Sequence, residues 1–222
     1  MQYNLNISME LLSFSGCSIT WGDELENRLD DRFSKLVSDH YGCRAYNMGV
    51  CGVSNDYLVR NTINYLKHAK PDVLVMQFTV TQRIEYYDAN KEPQKWTPQR
   101  LRSTTQRDYY TKIYNDVLGA ENLWKNIFLF DTFCKSIGQK YVSVIAEHYE
   151  NTQRFPERYY QNKKGYWRSM CTDYNPVWMQ MDLLKGLKTH PFHYANGING
   201  GHPSPQGHRT IANKIIELID AI

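Results

Sequence analysis

Apolar residues recur along the chain with two alternating periods. Met9 to Phe14 (MELLSF) is a short apolar run suited to a buried strand. Leu25, Leu29, Phe33, Leu36, Val37 and Tyr41 then follow at helical spacing, up to a stop at Gly42. CRAYNM predicts a second strand, and Ser54 is placed to cap a helix whose Val59, Ile63 and Leu66 share a face. PDVLVMQF, Pro71 to Phe78, is apolar without alternation, as a parallel strand covered on both faces should be. A polar stretch with Pro93 and Pro98 comes next. A helix then carries Leu123, Ile127, Phe130, Cys134 and Ile137 on one side and ends at Gly138. KYVSVIA, Lys140 to Ala146, predicts a fourth strand, and a last helix from about Pro205 turns Ile211, Ile215, Leu218, Ile219 and Ile222 inward.

Strands alternating with helices in this way predict an α/β protein: a three-layer α/β/α sandwich on a parallel sheet with right-handed crossovers. Sites in such sheets collect at the carboxyl ends of the strands. Residues 149 to 200 break the alternation. They hold Tyr149, Phe155, Tyr159, Tyr160, Tyr166, Trp167, Tyr174 and Trp178 interleaved with Arg154, Arg158, Lys163, Lys164 and Arg168. This stretch reads as an insertion over the strand ends, with a short helix around Trp178 to Leu187. At 222 residues the chain is long enough for one sizeable core, and no linker divides it, so a single domain over 1–222 is expected.

Composition narrows the function classes. A net charge of +3 from 26 basic and 23 acidic side chains leaves no footprint of a nucleic-acid binder. The aromatic and basic residues of the insertion suit a sugar ring or an anionic polymer, or form a small core of their own. No apolar run approaches the ~18 residues of a membrane span. The start, MQYNLNISMELLSFSG, lacks the pattern of a secretory signal, and the five cysteines are widely spaced without a C-x-x-C pair. A cytoplasmic protein with reduced thiols is the expectation. His190, His193, His202 and His208 invite a metal reading, but no carboxylate or thiolate completes a ligand set, so no metal and no cofactor is expected. His208 is expected to cap or pack under the final helix.

The candidate chemistry sits at predicted strand ends. FSGCSITWGDEL ends a strand at Gly16 and places Ser18 at its tip; NMGVCGVSN brings Gly49 and Gly52; Thr79 and Thr81 follow the third strand; His202 lies in NGGHPSPQGH before the last helix. A serine needs a base to become a nucleophile at neutral pH, and a developing oxyanion needs uncovered backbone donors. All these parts fall on one edge of the predicted sheet. Taken alone, Ser18 also suits a helix N-cap, and His202 a loop histidine.

Three of these blocks together resemble the SGNH (GDSL-type) esterase and acylhydrolase superfamily. GCSITWG (Gly16 to Gly22) looks like its first block, NMGVCG (Asn47 to Gly52) like its second, and NGGHPSPQGHRTIA (Asn199 to Ala212) like its last, in the family's order. The resemblance implies a flavodoxin-like fold, in agreement with the pattern above. It also implies Ser18 as nucleophile, His202 as general base, and the N–H groups of Ser18 and Gly52 as oxyanion donors.

Three departures bear on the site. QFTVTQRIE stands where the family's third block supplies an asparagine to the oxyanion; Thr81 aligns with it, and Arg83 from the same loop can substitute or bind substrate. Asn199 occupies the place of the acid that orients the histidine, leaving a dyad in which a backbone carbonyl or Asp182 holds the ring. Cys17 replaces the usual aspartate before the serine. The third block also resembles phage-encoded members of the superfamily. The function expected is a serine esterase that removes a small acyl group, acetyl first, from a carbohydrate or similar polar substrate. The alternative is a binding or structural protein that keeps the fold and has lost activity through Asn199 and Thr81. Oligomeric state is open.

Overall fold

The two-sided apolar pattern of the strands is satisfied by helices packed on both faces of one sheet. The structure, a computed structural model, describes residues 9–88, 90–98, 101–146, 177–179 and 202–222. Its strands are β1 (Leu11–Ser15), β2 (Arg44–Asn47), β3 (Val73–Phe78), β4 (Ile84–Tyr87), β5 (Pro93–Trp96), β6 (Tyr141–Ala146) and β7 (Val177–Met179). Its helices are α1 (Ser18–Trp21), α2 (Arg28–Asp31), α3 (Phe33–Tyr41), α4 (Asn55–Leu66), α5 (Thr104–Asp108), α6 (Asp116–Ser136) and α7 (Pro205–Asp220), with a π-helical turn, Tyr109–Ile113, after α5.

The main sheet runs β2-β1-β3-β6-β7, and each neighbouring pair is parallel. Successive side chains of a strand point to opposite faces, so each strand feeds two cores. Leu12, Phe14, Val75 and Val144 pack with Phe33 and Val37 of α3 and Ile211, Ile215 and Ile219 of α7. Leu74, Met76, Phe78 and Ile145 pack on the other side with Leu58 and Val59 of α4 and Leu123, Ile127 and Phe130 of α6. The three-layer α/β/α architecture read from the sequence is therefore present. Ser54 caps α4 by accepting from Tyr57 N at 3.2 Å, and Gly42 closes α3, both as read.

The departures are local and have physical causes. The apolar series Leu25 to Tyr41 is not one helix: Arg32, with φ −70° and ψ 142°, separates α2 from α3, and Leu29 is 61 % exposed. Ile137 and Ile222, assigned to buried faces, are exposed past the ends of α6 and α7. The polar stretch holds an antiparallel hairpin, β4 with β5, in which Tyr86 lies 4.1 Å from Trp96, ring to ring. Glu85 of this hairpin pairs with Arg60 of α4 at 2.7 Å. Trp178 and Met179, expected to begin a helix, instead belong with Val177 to β7, which extends the sheet beside β6. The rest of the 149–200 insertion lies outside the described residues, as do His190 and His193.

His208 is fully buried on α7. Its Nδ1 accepts from the backbone N–H of Phe33 at 3.1 Å, so the imidazole caps the start of α3, and its ring stacks on Phe33. The expectation that it packs under the final helix holds. Burial, followed by the nearby His202, lowers its pKa from 6.5 to about 3. Between those values the unfolded chain binds a proton that the folded chain refuses, so stability is complete above about 6.5 and is lost as pH falls towards about 3. We predict that the melting temperature declines over this interval. The variant His208→Gln, which keeps an acceptor but cannot titrate, will show a shallower decline; parallel curves would contradict the assignment.

Candidate active site

The site is assembled where β1, β2 and β3 end. The chain leaves β1 through Gly16 and enters α1 at Ser18, with Cys17 as a cap residue whose side chain makes no capping bond. Ser18 is thus the first helical residue rather than an N-cap. Its N–H belongs to the set that a helix start leaves without an internal acceptor. Its hydroxyl is 3 % exposed as a residue and contacts Cys17 Sγ at 3.9 Å.

Beneath this turn lies Gln77, a fully buried residue of β3. Its Oε1 accepts from Cys17 N at 3.2 Å, Cys17 Sγ at 3.3 Å and Thr20 Oγ1 at 2.9 Å, while its amide donates to the Phe78 carbonyl at 2.8 Å. A polar residue interrupting the apolar run VLVMQF was the one sequence sign of this anchor. Each buried donor left unpaired would cost about 1–3 kcal/mol, so this amide holds the Gly16–Thr20 turn to the neighbouring strand.

The second block is stitched to the first. Asn47 donates to Thr20 O at 2.7 Å and Ser34 Oγ at 2.7 Å and accepts from Gly49 N at 2.8 Å. Val50 N donates to Gly16 O at 3.0 Å. A Cβ on Gly49 would sit 2.4 Å from Trp21 N and 2.8 Å from Thr20 C, so only glycine lets the two loops close up. Gly52 has φ +74°, and its N–H makes no hydrogen bond among the described residues.

The third block is tied down from α4. Asn55 donates to Thr79 O at 3.0 Å and accepts from Thr79 N at 2.8 Å. Arg83 Nη1 donates to Thr79 Oγ1 at 2.9 Å, and Arg83 Nε is buried without an aligned acceptor. Burial pushes the Cys17 thiol up, but the Arg83 charge and the Thr79 hydroxyl more than offset it, and the thiol is held below its ordinary value. The charge of Arg83 therefore reaches the residue beside Ser18. Thr81 is buried against Gly119 of α6, with Oγ1 3.4 Å from the Tyr114 hydroxyl.

His202 stands against the segment that follows α1. Its Nδ1 is 3.1 Å from Glu24 Oε1 and its Nε2 is 3.9 Å from Asp23 Oδ2. Nδ1 and Glu24 Oε2 are both buried without an aligned hydrogen-bond partner among the described residues. Among the described residues there is no hydrogen bond between Ser18 and His202. Burial, followed by the nearby Asp23 carboxylate, pushes the thiol of Cys51, next to Gly52, up to about 11. Gly22 ends α1 at φ +82°, and Glu24 holds φ +67°, a left-handed conformation that costs a non-glycine residue about 1–2 kcal/mol. Asp23 and Glu24 were passed over in the sequence because nothing in WGDEL distinguishes them from an acidic surface turn. Asn199 and Asp182 lie outside the described residues. Among the described residues no group of three His, Cys, Asp or Glu side chains is arranged to hold a metal ion.

Gly49→Ala is predicted to destabilise the protein by about 1–3 kcal/mol, because the new methyl meets backbone rather than a movable side chain. Urea midpoints of parent and variant test this, and an unchanged midpoint would show that the two loops are not in fact locked together.

No protein-family model and no curated protein matches the chain. Solved structures do. A member of the lipolytic protein G-D-S-L family from Veillonella parvula aligns with a TM-score of 0.55 at 13 % identity, over 96 % of this chain and 100 % of its own. A psychrotrophic esterase from Pseudoalteromonas sp., solved with monoethylphosphonate as inhibitor, aligns at 0.56 and 12 %, over 96 % and 97 %. A catalytic mutant of an acetylxylan esterase from Geobacillus stearothermophilus aligns at 0.56 and 14 %, over 95 % and 94 %. The motif resemblance and the structural likeness agree, and the chain has the fold of the GDSL-type esterases and acylhydrolases.

Proposed function

We propose that the protein is a serine esterase that removes a small acyl group, acetyl first, from a carbohydrate. The observation that supports this reading is that the Asn47–Val50 segment is tied to the turn that carries Ser18, while His202 stands against Glu24 of the segment following that turn. Ser18 Oγ attacks the ester carbonyl, and His202 takes its proton and later gives it to the leaving alcohol. The N–H groups of Ser18 and Gly52 hold the oxyanion, with the Thr81 hydroxyl or Arg83 as third donor. Water activated by His202 then releases the acyl group from Ser18.

The near-complete burial of Ser18 favours a small acyl group. The carbohydrate side is supported by the aromatic and basic composition of residues 149–200 and by the likeness to an acetylxylan esterase.

Hydrolysis of an activated acetyl ester at neutral pH is the test. Ser18→Ala and His202→Ala are each expected to lower turnover by about 10³-fold or more, since the two act as a unit. The parent should also release acetate from acetylated xylan oligosaccharides. Equal background rates in parent and both variants would reject the catalytic reading; activity on the small ester without acetate release from oligosaccharides would reject the carbohydrate.

A further inference from the structure

The histidine of a serine hydrolase works well only when a carboxylate faces its Nδ1, fixing the tautomer and stabilising the imidazolium that forms during attack. Asn199, at the position where the family resemblance would place that acid, carries no charge. The structure brings a different carboxylate to the same nitrogen. Glu24 Oε1 lies 3.1 Å from His202 Nδ1, whereas Asp23 approaches Nε2 from 3.9 Å. His208, on the following helix, is the other titratable group coupled to His202.

We infer that Glu24 is the positioning residue for His202, an orienting acid supplied by the loop after the nucleophile rather than by the loop that carries the histidine. This rests on the esterase reading above. Three features of the site converge on it. Among the described residues the buried Nδ1 makes no aligned hydrogen bond, and Glu24 Oε1, 3.1 Å away, is the carboxylate oxygen placed to receive its N–H once the two groups align. Glu24 keeps a left-handed backbone that glycine would adopt without strain, and strain kept in a functional segment points to a side chain that is needed there. The Schellman-like end of α1, in which Gly22 N and Asp23 N both donate to Ser18 O, ties the Glu24 turn to the nucleophile itself. One short segment, Ser18 to Glu24, thereby contributes both the nucleophile and the acid. With Nδ1 turned to Glu24, Nε2 is the nitrogen left to take the Ser18 proton.

The experiment compares parent, Glu24→Gln, Glu24→Asp, Glu24→Gly, Ser18→Ala and His202→Ala on an activated acetyl ester, with melting temperatures for all six. Glu24→Gln is expected to lower kcat by about 10²–10⁴-fold with KM within twofold of the parent, and Glu24→Asp to recover part of the loss. Glu24→Gly relieves the backbone and deletes the carboxylate, so it should melt at or above the parent temperature and still lose kcat. A Glu24→Gly or Glu24→Gln protein that keeps parental kcat, or one whose loss lies in KM, overturns the inference while the losses in Ser18→Ala and His202→Ala preserve the esterase reading. Full activity in Ser18→Ala would overturn both.

Discussion

β1 and β3 run side by side through the middle of a parallel sheet that is buried on both faces, and the placement of the site follows from that burial. Parallel neighbours cannot be joined by tight hairpins, so each connection crosses over through a helix and returns to the same edge. All the loops that leave β1, β2 and β3 therefore meet at their carboxyl ends. Residues far apart in the chain, Ser18, Gly52, Thr81 and Arg83, come to one edge for this reason. The helices that cover the two faces are secured by the apolar stripes facing them, and α7 brings His202 to the same edge at its amino-terminal side.

Within that frame the loops are held by buried amides. Gln77, Asn47 and Asn55 each use both ends of a side-chain amide to tie one strand-end loop to another element. A buried amide that is fully paired resists displacement, because any shift leaves donors and acceptors uncompensated in a dry interior. An oxyanion hole built from backbone N–H groups needs such rigidity, since its donors must already point at the place where charge develops. Gly49 completes the arrangement by letting the second loop touch the backbone of α1.

The acidic turn after α1 differs in kind. Gly22 and Glu24, both at positive φ, fold the chain back so that Asp23 and Glu24 face His202, and the Asp23 charge also helps to raise the Cys51 thiol beside Gly52. His202 is accordingly surrounded by negative charge on the side of α1 and by the buried neutral His208 on the side of α7.

The sequence by itself determined the layers and the succession of the main strands and helices along the chain, because hydrophobic period is local and survives without knowledge of partners. PDVLVMQF reads as a strand covered on both sides, and Ser18, Gly52 and His202 stood out as candidates because each lies at a predicted strand or helix end within a block that resembles the family. What depended on contacts far apart in the chain was decided by the tertiary structure alone. The β4–β5 hairpin is stabilised by cross-strand rings and by Arg60 of α4, neither of which leaves a mark on its own segment. β7 exists through its pairing with β6. The break at Arg32 separates residues whose apolar spacing reads as continuous, because two short helices can present the same period as one. Thr81 was aligned by position, but its hydroxyl orientation is set by Tyr114 and Gly119 of later elements. The charge facing His202 likewise belongs to residues almost the whole chain away, and a carboxylate beside an imidazole is a matter of distance in space, which spacing along the chain does not encode.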